Sequence, residues 1–276
     1  MTVGRALAQT SERLAKAGCD TPRVDAEILV AHVTHVARSE LALAGSRALA
    51  REDEESLERL VTRREAREPL AYVVGEWGFR RLVLGVDARV LVPRPETEIV
   101  VERCLARIAA LADPRVLDVG TGSGAIALAI ADEHPGSAMV TGIDTSAGAL
   151  EVAGANMLRT GLAIELRPWD LFANLPGGPW DLVVSNPPYV LPEEIATLEP
   201  EVRDWEPREA LVGVGTTEAV ARGAVEVLRR GGALVLEAAS GDAERIATLL
   251  RELRYETVST TRDLAGRDRV VEAVRP

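Results

Sequence analysis

The stretch Val116-Leu117-Asp118-Val119-Gly120-Thr121-Gly122-Ser123-Gly124-Ala125 decides the fold. A short apolar run ends in three glycines at alternate positions, and an apolar helical pattern begins at Ala125. Glycines at such a turn permit positive φ and let the backbone approach a ligand closely. The turn ends the first strand of an alternating pattern, on the rim where open α/β sheets bind ligands. The glycines stand G-x-G-x-G, which fits the dinucleotide fingerprint G-x-G-x-x-G poorly. The next apolar run closes on Gly142-Ile143-Asp144. A carboxylate there can accept hydrogen bonds from both hydroxyls of a ribose, so Asp144 points to a nucleoside. Asp118 is a candidate partner of the turn's backbone or of a ligand's ammonium group. Asp170-Leu171, after the third strand, is placed to face an adenine. A plain strand–helix connection without a ligand would leave these acidic strand ends unexplained.

Outward from this turn, strands and helices alternate. The pattern predicts strands at Val116–Val119, Met139–Ile143, Ile164–Arg167, Leu182–Ser185, Ala233–Glu237, Glu256–Thr260 and Arg269–Val274. Helices are expected at Ala125–Glu133, Ala147–Leu158, Thr217–Arg229 and Asp242–Leu253. Such alternation implies a parallel, doubly wound sheet. Only Arg262–Asp268 separates the last two strands, too little for a parallel crossover, so they should pair antiparallel.

Towards the amino terminus the period changes to helical. Ala6, Leu7, Thr10 and Leu14 share a face, and Gly18 supplies a stop. Thr21-Pro22 reads as a cap with proline in the first helical position. Glu52–Arg67 is a charged helix with Leu57, Leu60 and Val61 buried, ended before Pro69. Leu82–Leu84 and Val90–Val92 read as the strands of a hairpin. Pro93-Arg94-Pro95-Glu96-Thr97-Glu98 is extended, and a helix follows from Ile99 to Leu111. The expected domains are residues 1–70, a hairpin linker at 71–92, and 93–276.

Composition narrows the function classes. The 276 residues carry a net charge of -11, which argues against a protein that grips long nucleic-acid backbones. No apolar run reaches the ~18–20 residues of a membrane span, and the amino terminus lacks the apolar stretch of a signal peptide. Two distant cysteines, Cys19 and Cys104, indicate no disulfide framework and fit a reducing, cytoplasmic setting. The histidines, His32, His35 and His134, form no metal-ligand pattern, and no metal is expected.

Asn186-Pro187-Pro188-Tyr189 begins where the strand Leu182–Ser185 ends, on the same rim as the glycine turn. Two prolines stiffen this turn and leave its carbonyls free to accept. Asn186 Oδ1 and the Pro187 carbonyl can take both hydrogens of a planar –NH2 group, with the Tyr189 ring packed beside it. An amide or aromatic amine is a weak nucleophile because its lone pair is delocalised. Accepting its hydrogens raises electron density and fixes its orientation, so positioning and electrostatics supply the catalysis. Read alone, the segment is equally an ordinary proline turn.

Over nearly its whole length the chain resembles the protein-glutamine N5-methyltransferases that modify peptide chain release factors. The amino-terminal helices, the hairpin, Pro93–Glu98, Asp118–Gly124, Asn186–Tyr189, Glu206-Pro207 with Ala210-Leu211, and Asp263-Leu264-Ala265-Gly266 stand in the family's order. Asn-Pro-Pro-Tyr is shared with nucleic-acid amino-methyltransferases, whereas Pro-Arg-Pro-Glu-Thr-Glu is far more specific. The resemblance implies an α/β fold: the Rossmann-like sheet of class I S-adenosylmethionine methyltransferases, mostly parallel with the last strand antiparallel. It implies S-adenosylmethionine as cofactor, bound by Asp118, Gly120, Thr121, Gly122, Ser123, Gly124, Asp144, Asp170, Leu171 and Asn186. Asn186, Pro187 and Tyr189 would be catalytic. The substrate, the glutamine of a release factor's Gly-Gly-Gln loop, would meet Asn186, Pro187, Pro188 and Tyr189, with Arg94 and Glu96 at the entrance. Release factors would be the partners, engaged by the amino-terminal domain, with no stable nucleic-acid or membrane binding.

Two departures from the family's pattern stand out. Gly213-Val214-Gly215-Thr216-Thr217 replaces a Gly-Gly-x-Asp-Gly stretch, and Ala239 and Asp242 stand where Gly and Gln are usual. They put the order of the carboxyl-terminal loops in doubt, not methyl transfer. The competing readings are an amino-methyltransferase of RNA or DNA bases, which would need a groove for an extruded base, and a non-catalytic cofactor-binding module.

Overall fold

The computed structural model describes all residues, 1–276, in two compact units. The first comprises Met1–Glu76 and Leu198–Trp205. Its helices are α1 (Val3–Lys16), α2 (Pro22–Thr34), α3 (Arg51–Glu65) and α4 (Leu70–Val74), joined by the short helix Pro200–Arg203. Val3, Ala6, Thr10 and Leu14 form the buried stripe of α1, and Leu57 and Val61 that of α3, as the helical period requires. Thr21 precedes α2, but its hydroxyl bonds Asp25 Oδ1 at 2.7 Å instead of capping the backbone. Residues 198–205, expected with the later domain, cluster instead with this helical unit.

A buried ion cluster holds them there. Glu201 Oε1 accepts Arg64 Nη1 and Arg67 Nε, both at 2.7 Å, while Arg64 Nε donates to Asp25 Oδ2 at 2.8 Å. The Asp25 and Arg64 side chains are only 3% and 7% exposed, so these charges depend on one another and not on water.

The second unit holds Trp77–Thr197 and Glu206–Pro276. It opens with a hairpin of β1 (Glu76–Phe79), whose first residue closes the helical unit, and β2 (Leu82–Gly85), followed by α5 (Thr97–Ile108). Val90–Val92 is not a strand. Its composition suggested one, but the backbone turns there instead, with the Val90 N–H donated to Asp87 O at 3.1 Å, and Pro93 follows at once. Next come β3 (Arg115–Val119), α6 (Ala125–Glu133), β4 (Met139–Asp144), α7 (Ala147–Thr160), β5 (Glu165–Pro168) and β6 (Trp180–Ser185). Between β6 and β7 (Leu228–Glu237) the chain forms α8 (Pro200–Arg203), α9 (Arg208–Leu211) and α10 (Thr216–Val227). The chain closes with α11 (Ala243–Glu252), β8 (Glu256–Arg262) and β9 (Asp268–Val274).

The seven-stranded sheet runs β5-β4-β3-β6-β7-β9-β8. All pairings are parallel except those of β9, which lies antiparallel to both β7 and β8. The last strand is therefore the antiparallel one, inserted between its predecessors. Alternate residues feed two cores. Val116, Leu182, Val184 and Val235 pack with Val100 and Cys104 of α5 and Ile126 and Ile130 of α6. Leu117, Val183, Leu234 and Leu236 face Val220 and Ala224 of α10 and Ile246 and Leu250 of α11. With both faces covered, the central strands are continuously apolar, which is why they read so clearly.

Chain order reverses between β3 and β6. The loops leaving these two strands diverge there and open a crevice at their carboxyl ends. The glycine turn leaves one strand and Asn186 the other.

Candidate active site

The turn is built on its neighbour strand. Gly120 and Thr121 both donate their N–H to Ile143 O, at 2.9 and 3.0 Å, and Gly122 donates to Asp144 Oδ2 at 2.9 Å. Gly120 and Gly122 have φ of +74° and +54°, and a Cβ built on either meets nothing within 4 Å. Open space thus lies against the bare backbone, as a ligand cradle requires. From behind, Asn156 Nδ2 donates to Ser123 O at 2.9 Å and to Gly85 O at 3.0 Å, tying the turn to the hairpin. Nothing in the local sequence around Asn156 announced this brace.

The cradle opens into a cavity of about 460 Å³. Its walls include Gly120, Thr121, Gly122, Ser123, Asp144, Leu171, Asn186, Pro188 and Arg94. All of these were expected, and the structure brings them together. Trp169, Phe172, Thr97 and Val214 also line it and were missed. Trp169 and Phe172 flank Asp170-Leu171, and their aromatic character was the available signal.

Several expected residues stand back from the walls. Asp118 is 1% exposed. Its Oδ2 accepts the Thr121 hydroxyl at 2.7 Å, so it shapes the turn through a side chain. Burial pushes its carboxyl up to about 7, against the pull of Thr121, and Oδ1 has no partner. Gly124, in the left-handed region, caps α6 and packs against Leu128 and Ala153. Asp170 Oδ1 accepts the Phe172 N–H at 2.9 Å and orders that loop. Pro187 is buried and Tyr189 half-buried beside Asn186. Burial raises the Tyr189 phenol, and nearby Glu237 adds to this, so it stays protonated at neutral pH.

Arg94 and Glu96 do not pair with each other. Arg94 Nη2 donates to both oxygens of buried Glu206, at 2.8 and 2.6 Å, and Arg267 Nη2 donates to Glu96 Oε1 at 3.2 Å. Burial pushes the Glu206 carboxyl above its usual range, while Arg94 pulls it down. The Glu206-Pro207 and Asp263–Gly266 segments thus anchor the Pro93–Glu98 junction: Asp263 Oδ2 accepts Arg267 Nε at 2.8 Å, and Arg267 reaches Glu96.

Asn186 leaves β6 just after Ser185, whose hydroxyl donates to Val119 O at 2.7 Å and locks the two strand ends together. The Asn186 Nδ2 group donates to Thr97 Oγ1 at 3.3 Å. Asn186 lines the cavity, and with its nitrogen engaged by Thr97 its Oδ1 remains available as an acceptor.

The chain matches the family model described as the PrmC N-terminal domain over residues 5–75 and that of the methyltransferase small domain over 97–198. It is 40% identical over 287 residues to the release factor glutamine methyltransferase of Cereibacter sphaeroides, covering 100% of this chain and 99% of that one. The chain belongs to this family. The release factor glutamine methyltransferase of Vibrio cholerae is likewise 40% identical, with 98% of this chain and 96% of its own length covered. A solved structure of the T. thermophilus 16S rRNA N2 G1207 methyltransferase, in complex with AdoMet and guanosine, superposes with a TM-score of 0.53 over 73% of this chain and 50% of that chain. At 18% identity that likeness concerns the fold alone.

Membership in the family gives the first departure a physical limit. Gly213 lies so close to the Asn-Pro-Pro-Tyr turn that an added Cβ would stand 2.4 Å from Pro188 O and 2.5 Å from its Cγ. The changed stretch retains glycine where the two loops touch. Gly213→Ala should displace Pro188 and lower kcat by about tenfold or more, with an unchanged far-UV spectrum. Rates equal to wild type would show that the turn tolerates the shift.

Proposed function

We propose that this chain transfers a methyl group from S-adenosylmethionine to the side-chain amide nitrogen of the glutamine in the Gly-Gly-Gln motif of peptide chain release factors. The observation that carries the reading is Asn186, which lines the same cavity as the glycine cradle and has its nitrogen tied to Thr97, leaving its oxygen free to accept. The relatives' names supply the substrate.

The site fits the cofactor on its own chemistry. The cradle is open at Gly120 and Gly122, Asp144 is an acceptor on the wall, and Trp169, Leu171 and Phe172 offer apolar surface for a flat base. Gly120–Ser123 and Asp144 would hold the cofactor's backbone-facing and ribose portions. Bound there, S-adenosylmethionine supplies an electrophilic sulfonium methyl group.

The protein's part is positioning. Asn186 Oδ1 and the Pro187 carbonyl accept the two hydrogens of the glutamine amide and aim its nitrogen. Tyr189, a neutral phenol, packs beside the flat group. No strong base is needed before attack, because an alkylated amide nitrogen becomes acidic and loses its proton readily. Arg94, fixed by Glu206, and Glu96, held by Arg267, define the junction at the entrance.

Release factors are the proposed partners and the cytoplasm the proposed setting; Cys19 and Cys104 are both free and buried. No helix is long and apolar enough to cross a membrane. The same acceptors suit an exocyclic amino group of a base, but a net charge of -11 disfavours a nucleic-acid partner. Incubation with labelled S-adenosylmethionine and either the organism's release factor or its total RNA separates the two. Label is expected on the glutamine of the Gly-Gly-Gln peptide. Label on RNA alone would overturn the substrate assignment.

A further inference from the structure

The hydrogen bond from Asn186 is the first of a chain that leads away from the cavity into the protein. Asn186 Nδ2 donates to Thr97 Oγ1 at 3.3 Å, and Thr97 Oγ1 donates to Glu237 Oε2 at 2.7 Å. The three residues come from the loop after β6, the first position of α5 and the last position of β7. Thr97 and Glu237 are 4% and 2% exposed. A carboxylate at the end of a central strand is costly to bury, so its retention calls for a use.

A primary amide has a donor end and an acceptor end, exchanged by a half-turn of the group. The methyl-transfer chemistry needs the acceptor end towards the substrate. We propose that Thr97 and Glu237 are positioning residues that polarise this chain, so that Asn186 presents Oδ1 and not Nδ2 to the substrate amide. The proposal rests on the reading of Asn186 as the acceptor given above.

The direction of the chain follows from what each group can do. An ionised carboxylate only accepts, so the Thr97 hydroxyl must point its proton at Glu237. The hydroxyl's lone pairs then face Asn186, and only an N–H satisfies them. A proton placed on Glu237 Oε2, the oxygen that faces Thr97, reverses every link. The acid donates to Thr97 Oγ1, the Thr97 proton turns to Asn186, and Asn186 must offer Oδ1 inward. The substrate amide then meets a donor where it needs an acceptor.

The groups facing Glu237 are Thr97 of α5, Arg269 of β9, Arg94 and Glu96 of the segment before α5, and Tyr189 of the loop after β6. Burial pushes the Glu237 carboxyl up to about 7, with Thr97 and Arg269 opposing. The productive polarity therefore holds above about pH 7 and is lost as pH falls through that value. An ordinary glutamate would keep it down to about pH 4.3.

The test is steady-state methylation of the release factor by the full chain at saturating cofactor, from about pH 6 to 9. Saturation separates this titration from that of Asp118, which burial also pushes up to about 7 and which is read in cofactor affinity. Thr97→Val should lower kcat at least about tenfold, with KM for the release factor and cofactor affinity within about twofold. Thr97→Ser should restore most of the rate. Glu237→Gln, which does not titrate, should remove the acid limb of the kcat profile near pH 7 whatever its absolute rate. Wild-type kcat in Thr97→Val, or a wild-type acid limb in Glu237→Gln, would overturn the proposal. Should Thr97→Val fail to fold, the Glu237→Gln profile decides alone. An inactive Asn186→Ala beside a fully active Thr97→Val sinks the chain but spares the acceptor reading. A fully active Asn186→Ala sinks both.

Discussion

Asn186→Ala is expected to lower kcat for release-factor methylation by about 10²–10³-fold, while KM for the release factor changes severalfold at most. In the function proposed above, the substitution removes the one side-chain acceptor for the reacting nitrogen. A protein substrate presents many other contacts, so its ground-state binding should survive the loss. A fall in kcat with KM retained identifies an interaction made mainly in the transition state. The Ser185–Val119 tie lies upstream of the substitution and does not involve the Asn186 side chain, so the strand ends should remain joined. Asn186→Asp is informative beside it. It retains an acceptor oxygen but has no N–H to give Thr97, and it brings a second carboxylate towards buried Glu237. Its rate should fall between those of wild type and Asn186→Ala. A large rise in KM with kcat intact would instead make Asn186 a docking residue.

The parts of this site that sequence reveals are those with a local cause. The glycine turn and the strands around it are legible because a strand covered on both faces must be apolar throughout and a cradle must be glycine. The antiparallel last strand is legible because seven residues cannot make a parallel crossover. Asp144 is legible because it ends a strand. The failures have the opposite character. Val90–Val92 has strand composition but forms no strand, because composition alone does not decide strand pairing. Arg94 and Glu96, two apart in sequence, each bind a residue more than a hundred positions away, Glu206 and Arg267. Thr97 meets Asn186 and Glu237 across separations of 89 and 140 residues, so no spacing rule announces it. Asp118 was legible as a partner of the turn or of a ligand, but not that it would be buried and hold the turn through the Thr121 hydroxyl.

The largest stability effect is expected in the helical unit, from Arg64→Met. Methionine keeps much of the side-chain volume, so the loss is electrostatic in origin and not that of a cavity. Without the guanidinium, Asp25 keeps only the Thr21 hydroxyl as a side-chain partner, in a position where it is 2% exposed. Glu201 loses one of its two arginines, and with it part of the tether that holds residues 198–205. Breaking a buried pair by removing one partner costs roughly 3–5 kcal/mol, most of it from the charge left behind. Neutralising that charge should therefore recover stability. The double variant Asp25→Asn with Arg64→Met is expected to be more stable than Arg64→Met alone by about 1–2 kcal/mol. Urea denaturation followed by tryptophan fluorescence in a Trp77→Phe, Trp169→Phe, Trp180→Phe background, which leaves Trp205 of the tethered segment, reports on this unit. Acid should mimic the single variant in part. Burial opposes ionisation of Glu201, but Arg67 and Arg64 override it and hold its carboxyl below the usual range. A depressed carboxylate contributes stability that is complete above its unfolded value of about 4.3 and is lost as pH falls through the folded one. The wild-type transition should weaken across that acid window. In Arg64→Met the loss should be smaller, because only Arg67 remains to depress Glu201. Equal acid sensitivity in the two proteins would mean that Arg64 does not set the Glu201 ionisation, and the cluster would then reduce to the Arg67–Glu201 pair alone.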